Sequence, residues 1–283
     1  MPKPALGFDT SAHNRLADAS DKEALITAVN RGFRACVAGL NVEEFAATPD
    51  AVRRNELFSN CARLLSAGFC LQPPHEIFTL MVRSFQAQQD FDWRLVDVSA
   101  PEFAREIAFR EISNAELAKE QKEHARRTQK EFAALFDGVR PVFERLFLSG
   151  TEARPADFPD LVRRLQVDGG AFWSLAIGLY ARAANHTPDE QTIRRFVAAS
   201  PPAHALLLAL FLAQYERSVR APEGGPSLRA GRADLFMSAY LPYCDYFVTT
   251  DERQLRCLKG ITTIAGLSTV VLSYEDFVNG LNV

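Results

Sequence analysis

The segment Tyr246-Phe247-Val248-Thr249 runs with no turn residue to Asp251, and a charged helical stretch, DERQLRCLKG, begins at once. Near the other end of the chain, ALGFD (Ala5–Asp9) has the same form, a few apolar residues closed by an aspartate. FRACVAGL (Phe33–Leu40) and STVVLS (Ser268–Ser273) are two further short apolar runs between helix-like segments. Strands this short and this continuously apolar must be covered on both faces, which is the signature of a parallel sheet. With helices between them they predict an α/β fold.

The punctuation of the chain divides it. DKEALITAVNRG is a helix closed by Gly32; Asn41 is placed to cap the next, and Thr48-Pro49 to open a third that carries Val52, Leu57, Cys61 and Leu64 on or near one face. PPHEIFTLMVRSF is one more. From about Gln88 the character changes. Ser99 and Glu102 make a capping-box pattern opening a long polar helix, and TPDEQTIRRFVAA repeats the pattern with Thr187 and Glu190. ALLLALFLA (Ala205–Ala213) falls far short of the about 20 residues a membrane helix needs and reads as a buried core helix. The Pro/Gly loop APEGGPSLRAGR closes this stretch, after which ADLFMSAYLPYC is expected to be helical and Ser273 to cap a last helix. The reading is an α/β unit in two parts, 1–88 and 226–283, interrupted by an all-helical insertion, 89–225. Phe172, Trp173, Leu206 and Phe211 are expected to form the insertion's own core, and Arg126, Arg127 and Lys130 a polar face that meets either solvent or phosphates.

In an open parallel sheet, ligands bind beyond the carboxyl ends of the strands. Asp9 and Asp251 close two strands, and Glu44 lies in the first turn after a third. Each has a plainer reading: Asp9 and Asp251 as helix caps, Glu44 as a solvated helix residue.

The segments LGFDTSAHNRLAD, NVEEFAAT, RADLFMSAYLPYCDYFVTTDERQL and TVVLSYEDFVNGL together resemble the successive motifs of PIN-like ribonuclease domains. The resemblance implies a PIN-like parallel sheet and a four-carboxylate site of Asp9, Glu44, Asp234 and Asp251, with Ser11 and Thr249 as hydroxyl helpers. It implies a metal-dependent endoribonuclease that uses Mg2+ or Mn2+ on an RNA substrate. It leaves room for a protein antitoxin or inhibitor and for an oligomer. Glu43 and Glu44 are adjacent, and Phe45 beside Glu44 favours the latter. The chemistry is consistent, because carboxylates repel a phosphodiester unless they hold a hard divalent cation. The alternative is a PIN-shaped binding or scaffold protein with an idle pocket, acting through its helical insertion.

The net charge of −3 excludes an overall basic coat and leaves a local basic face open. The five cysteines have no CxxC or zinc spacing and read as reduced, mostly buried thiols. With no apolar leader in MPKPALGFDTSAH, a cytoplasmic location without membrane contact is expected. His13, alone among the histidines in lying near the acids, reads as a surface or turn residue. Asp9-Thr10-Ser11 lacks the second aspartate of haloacid-dehalogenase phosphatases, and no P-loop, GxGxxG or GxSxG is present.

Overall fold

The computed structural model describes residues 2–101, 119–120, 122–123, 126–127, 160–163, 170–215 and 235–281. The elements in the first part are β1 (Ala5–Phe8), α1 (Thr10–Asp18), α2 (Lys22–Gly32), β2 (Arg34–Ala38), α3 (Gly39–Ala46), α4 (Ala51–Leu64), β3 (Phe69–Leu71) and α5 (Pro74–Ala87). The middle contributes α6 (Gly170–Ala184), α7 (Glu190–Ala199) and α8 (Pro201–Tyr215). A 310 turn over Met237–Tyr243 leads to β4 (Tyr246–Thr249), α9 (Glu252–Ala265), β5 (Val270–Ser273) and α10 (Tyr274–Gly280).

The strands form one all-parallel, five-stranded sheet in the order β3-β2-β1-β4-β5. The α/β architecture expected from the apolar strands is the one observed. β1 is central and buried along its whole length. Leu6 and Phe8 face α1, α2 and α10, in a cluster that also takes Ala35, Val248, Leu25, Ile26 and Phe277. Val37 and Cys70 face α3 and α4. On the opposite face, Cys36, Ala38, Leu71, Phe247 and Val271 meet the remaining helices and the 310 turn. All five cysteines are free thiols, and burial pushes the Cys70 thiol up to about 12.

The described part of the middle segment does not have a core of its own. Phe172, Trp173 and Phe211 belong to the same apolar cluster as Phe247 and Val271 of the sheet. The reason is α8, whose residues Ala205–Ala213 are buried all round. A helix without a polar face has to be enclosed, and α8 is enclosed by α6, α7, α9 and the 310 turn. Its sheet-side neighbours are supplied by the second half of the chain. Lys130 and most of the polar helix lie outside the described residues.

Several boundaries differ from the sequence reading. β3, only three residues long, lies between Gly68 and the Pro73-Pro74 pair, and its outer edge is covered by residues 98–100 through Gln72 N to Val98 O (3.0 Å) and Ala100 N to Cys70 O (2.9 Å). Ser99 sits in that bridge, and of the polar helix expected after it only Pro101 and residues 119–120, 122–123 and 126–127 are described, all of them helical. Asp50 rather than Thr48 caps α4, and Asp189 rather than Thr187 caps α7, since in both cases the acid's carboxylate accepts a backbone N–H three residues on. The stretch before Cys244 is 310 rather than α, with Pro242 inside it. α9 runs past Gly260 and stops at Gly266, which adopts the left-handed φ of 64° that glycine tolerates.

Gly7 is a tight point within β1. A Cβ there would lie 2.8 Å from both Cys244 Sγ and Phe247 Cδ2. Gly7→Ala should therefore cost about 1–3 kcal/mol by overpacking. Urea unfolding should show a lower midpoint with an unchanged m-value.

Candidate functional site

From β1 the chain goes outward to β2 and β3, then returns to the other side of β1 for β4 and β5. The direction of winding thus reverses between β1 and β4, and a crevice opens at their carboxyl ends. Asp9 and Asp251 flank it.

Asp9 follows β1 directly, and its N–H continues the ladder to Val248 O at 3.0 Å. The side chain is 3% exposed. Its Oδ1 accepts from Ala12 N at 2.7 Å, capping α1. Ser11 Oγ lies 2.8 Å from each carboxylate oxygen, and Thr249 Oγ1 lies 2.6 Å from Oδ2. Thr249, the last residue of β4, accepts in turn from Asp251 N at 3.0 Å. Ser11 accepts from Thr250 N at 3.1 Å. Asp251 is exposed, and its Oδ1 caps α9 by accepting from Arg253 N (2.8 Å) and Gln254 N (2.9 Å). Both aspartates are therefore helix caps, the plainer of their two readings. Capping occupies Oδ1 of Asp251 and leaves that residue at the solvent-facing rim of the crevice.

Glu44 reaches the same edge by another route. Thr10 Oγ1 donates to Glu44 Oε2 and accepts from Asn41 Nδ2 at 3.1 Å. Asn41 is fully buried, and its Oδ1 accepts from Ala38 N at 3.1 Å. Asn41 is thus the third residue of α3 rather than its cap. Gly39, the first residue of the helix, lies so close to Pro73 that a Cβ would sit 2.7 Å from Pro73 N. Burial pushes the Tyr240 hydroxyl well up, with the Glu43 charge a lesser cause. Tyr240 Oη accepts from Leu40 N (3.3 Å) and donates to Gln72 O (3.1 Å), fixing the 310 turn to the ends of β2 and β3.

One rule runs through these contacts. Thr10, Ser11 and Thr249 each accept from an N–H and donate to a carboxylate. Neutral hydroxyls so polarised hold acids in fixed rotamers. The sequence reading contained Ser11 and Thr249 in that role. It missed Thr10, although Thr10 sits between Asp9 and Ser11, and took Asn41 for a simple cap.

Asp9, Glu44 and Asp251 thus share the carboxyl edge, and Asp234 lies outside the described residues. Among the described residues no group of three or more Asp, Glu, His or Cys side chains is arranged to hold one metal ion. The donors at the edge are all oxygen, the chemistry a hard cation prefers. Mg2+ is commonly bound through one or two carboxylates, with water and substrate phosphate completing its shell, and the described edge fits that sparse mode rather than an all-protein cage.

Asp245, at the opposite end of β4, takes no part, since its Oδ2 accepts from Ala5 N at 2.7 Å. His13 is not a surface residue. It lies one turn into α1, 3% exposed, between the rings of Phe8 (5.4 Å) and Phe45 (5.1 Å). Its Nε2 has no hydrogen-bond partner among the described residues, and burial lowers its pKa to about 3. Comparison with family models, with curated proteins and with solved structures gave no match.

The histidine has a direct consequence for stability. Its folded pKa of about 3 lies below the unfolded value, so the unfolded chain binds the extra proton. Its contribution is fully present above pH about 6.5 and is lost as pH falls towards 3, at up to about 1.4 kcal/mol per pH unit. His13→Leu should flatten the pH dependence of the urea-unfolding free energy across that window, whatever its effect at neutral pH.

Proposed function

We propose that the chain is a metal-dependent ribonuclease whose site is the crevice between β1 and β4. The observation that supports this reading is that Asp9 and Asp251 follow the two strands between which strand order reverses, with Thr249 Oγ1 joining the Asp9 carboxylate to the backbone N–H of Asp251. Carboxylates gathered there repel one another and any phosphodiester, and a divalent cation offsets both repulsions. The residues that would hold Mg2+ or Mn2+ are Asp9, Asp234 and Asp251, with Glu44 completing the site or positioning water. Such an ion, when bound, supplies charge stabilisation and a water of lowered pKa. The protein's own part is pre-organisation. Ser11 and Thr249 fix the Asp9 carboxylate, Thr10 fixes Glu44, and the α9 cap fixes Asp251, so little reordering is needed on binding.

A second reading, a catalytically idle binding or scaffold protein of the same shape, is favoured by one observation. The described acids do not group in threes, and both aspartates already serve as caps.

Asp251→Asn separates the two. Asn caps as well as Asp, so metal-free stability should change by less than about 0.5 kcal/mol. In the wild type, Mn2+ at a hundredfold excess over its Kd should stabilise by about 2.7 kcal/mol. The variant should lose that stabilisation, together with Mn2+-dependent cleavage of a labelled single-stranded RNA. Equal Mn2+ responses in the two proteins, with no cleavage by either, would leave the scaffold reading in place.

A further inference from the structure

The site's acids account for a cation but not for the grip on a polyanion. The outer face of α9 offers one. Beyond Glu252 in its first turn, this face presents Arg253, Arg256 and Lys259, all exposed. None of the three enters an ion pair or a side-chain hydrogen bond among the described residues. Elsewhere the described arginines are commonly committed: Arg53 to Asp18 and Glu56, Arg63 to Glu23, Arg194 to Glu190. The inner face of α9, through Leu258 and Ile261, is locked to the main core, so the row is carried on a fixed support.

We propose that this face is a track for the phosphate backbone of single-stranded RNA, with Arg253, Arg256 and Lys259 each meeting a phosphate. The proposal rests on the nuclease reading for the identity of the polymer. Its physical basis is position and charge. The row starts two residues from Asp251, so a strand lying along α9 is delivered to the β1–β4 crevice. From Arg253 to Lys259 it advances about 9 Å along the helix axis, at about 1.5 Å per residue. Cations that are unpaired give up no internal partner on binding, and the guanidinium fork suits phosphate oxygens. Three positive charges next to a cluster of carboxylates also supply attraction where the acids alone would repel the strand.

The test measures binding of a short fluorescein-labelled oligouridine by anisotropy, in EDTA so that no cleavage occurs, across a range of NaCl concentrations. The full-length wild type is compared with the triple variant R253Q/R256Q/K259Q. Each phosphate contact on a single strand contributes about 0.7 to the slope of log K against log salt, so the variant's slope should be shallower by about 2. Arg63→Gln, which removes a positive charge from α4 on the other side of the sheet, should leave the slope unchanged. Calorimetric Mn2+ affinity should not fall in the triple variant, since losing neighbouring positive charges cannot weaken a cation site. An unaltered slope in the triple variant, or no wild-type binding at low salt, overturns the track. A shallower slope with no Mn2+-dependent cleavage by the wild type keeps the track and overturns the nuclease reading instead.

Discussion

The hydrogen bond from Thr249 to Asp9 joins residues 240 positions apart and sits where the winding of the sheet reverses. Much of the candidate site depends on it. It fixes the end of β4 against the end of β1. It orients a buried carboxylate that also caps α1, and through Asp251 N it places the start of α9. Because Thr249 is 1% exposed, water does not compete for this contact, and a hydroxyl–carboxylate bond in such surroundings is stronger than the same bond at the surface. The geometry of the crevice is thus set by the same contacts that close the sheet.

Much of the architecture was legible because apolar strands and helix punctuation are local signals. β1, β2, β4 and β5 stood out as continuous apolar runs, and Ser273 was readable as the α10 cap, which it is through Asp276 N at 3.0 Å. β3 was not legible. Three residues between a glycine and a proline pair carry too little pattern, and only the neighbouring ladder with β2 makes them a strand. The caps of α4 and α7 were misplaced for a related reason. Thr-Pro-Asp occurs at both helix starts, and the choice between threonine and aspartate is made by backbone geometry rather than by residue type.

The site was legible as a set of positions more than as a set of bonds. Strand-end logic put Asp9 and Asp251 on one edge. It had no means of separating Glu43 from Glu44, of which Glu44 is the one that meets Thr10. Nor did it show that the hydroxyls of Thr10 and Ser11 serve different acids. Those assignments depend on where α3 begins, which is at Gly39 rather than beyond Asn41. His13 was misread because a lone histidine in a polar-looking stretch gives no hint that two phenylalanines close over it.

The strand order also bears on how the chain reaches its native state. β1, β2 and β3 are all contained in the first 71 residues, whereas the partner of β1 on its other side starts at residue 246. During synthesis the half-sheet must wait, with one edge of its central strand unpaired, until β4 at Tyr246–Thr249 has left the ribosome. Helix α8, apolar on every side, emerges before the 310 turn and α9 that help enclose it. Long-range parallel pairing is slow, and open strand edges invite pairing with other chains. The nascent protein therefore passes through a stage in which its most hydrophobic helix and the inner edge of β1 are exposed together, making that interval the one in which a chaperone has the most to shield.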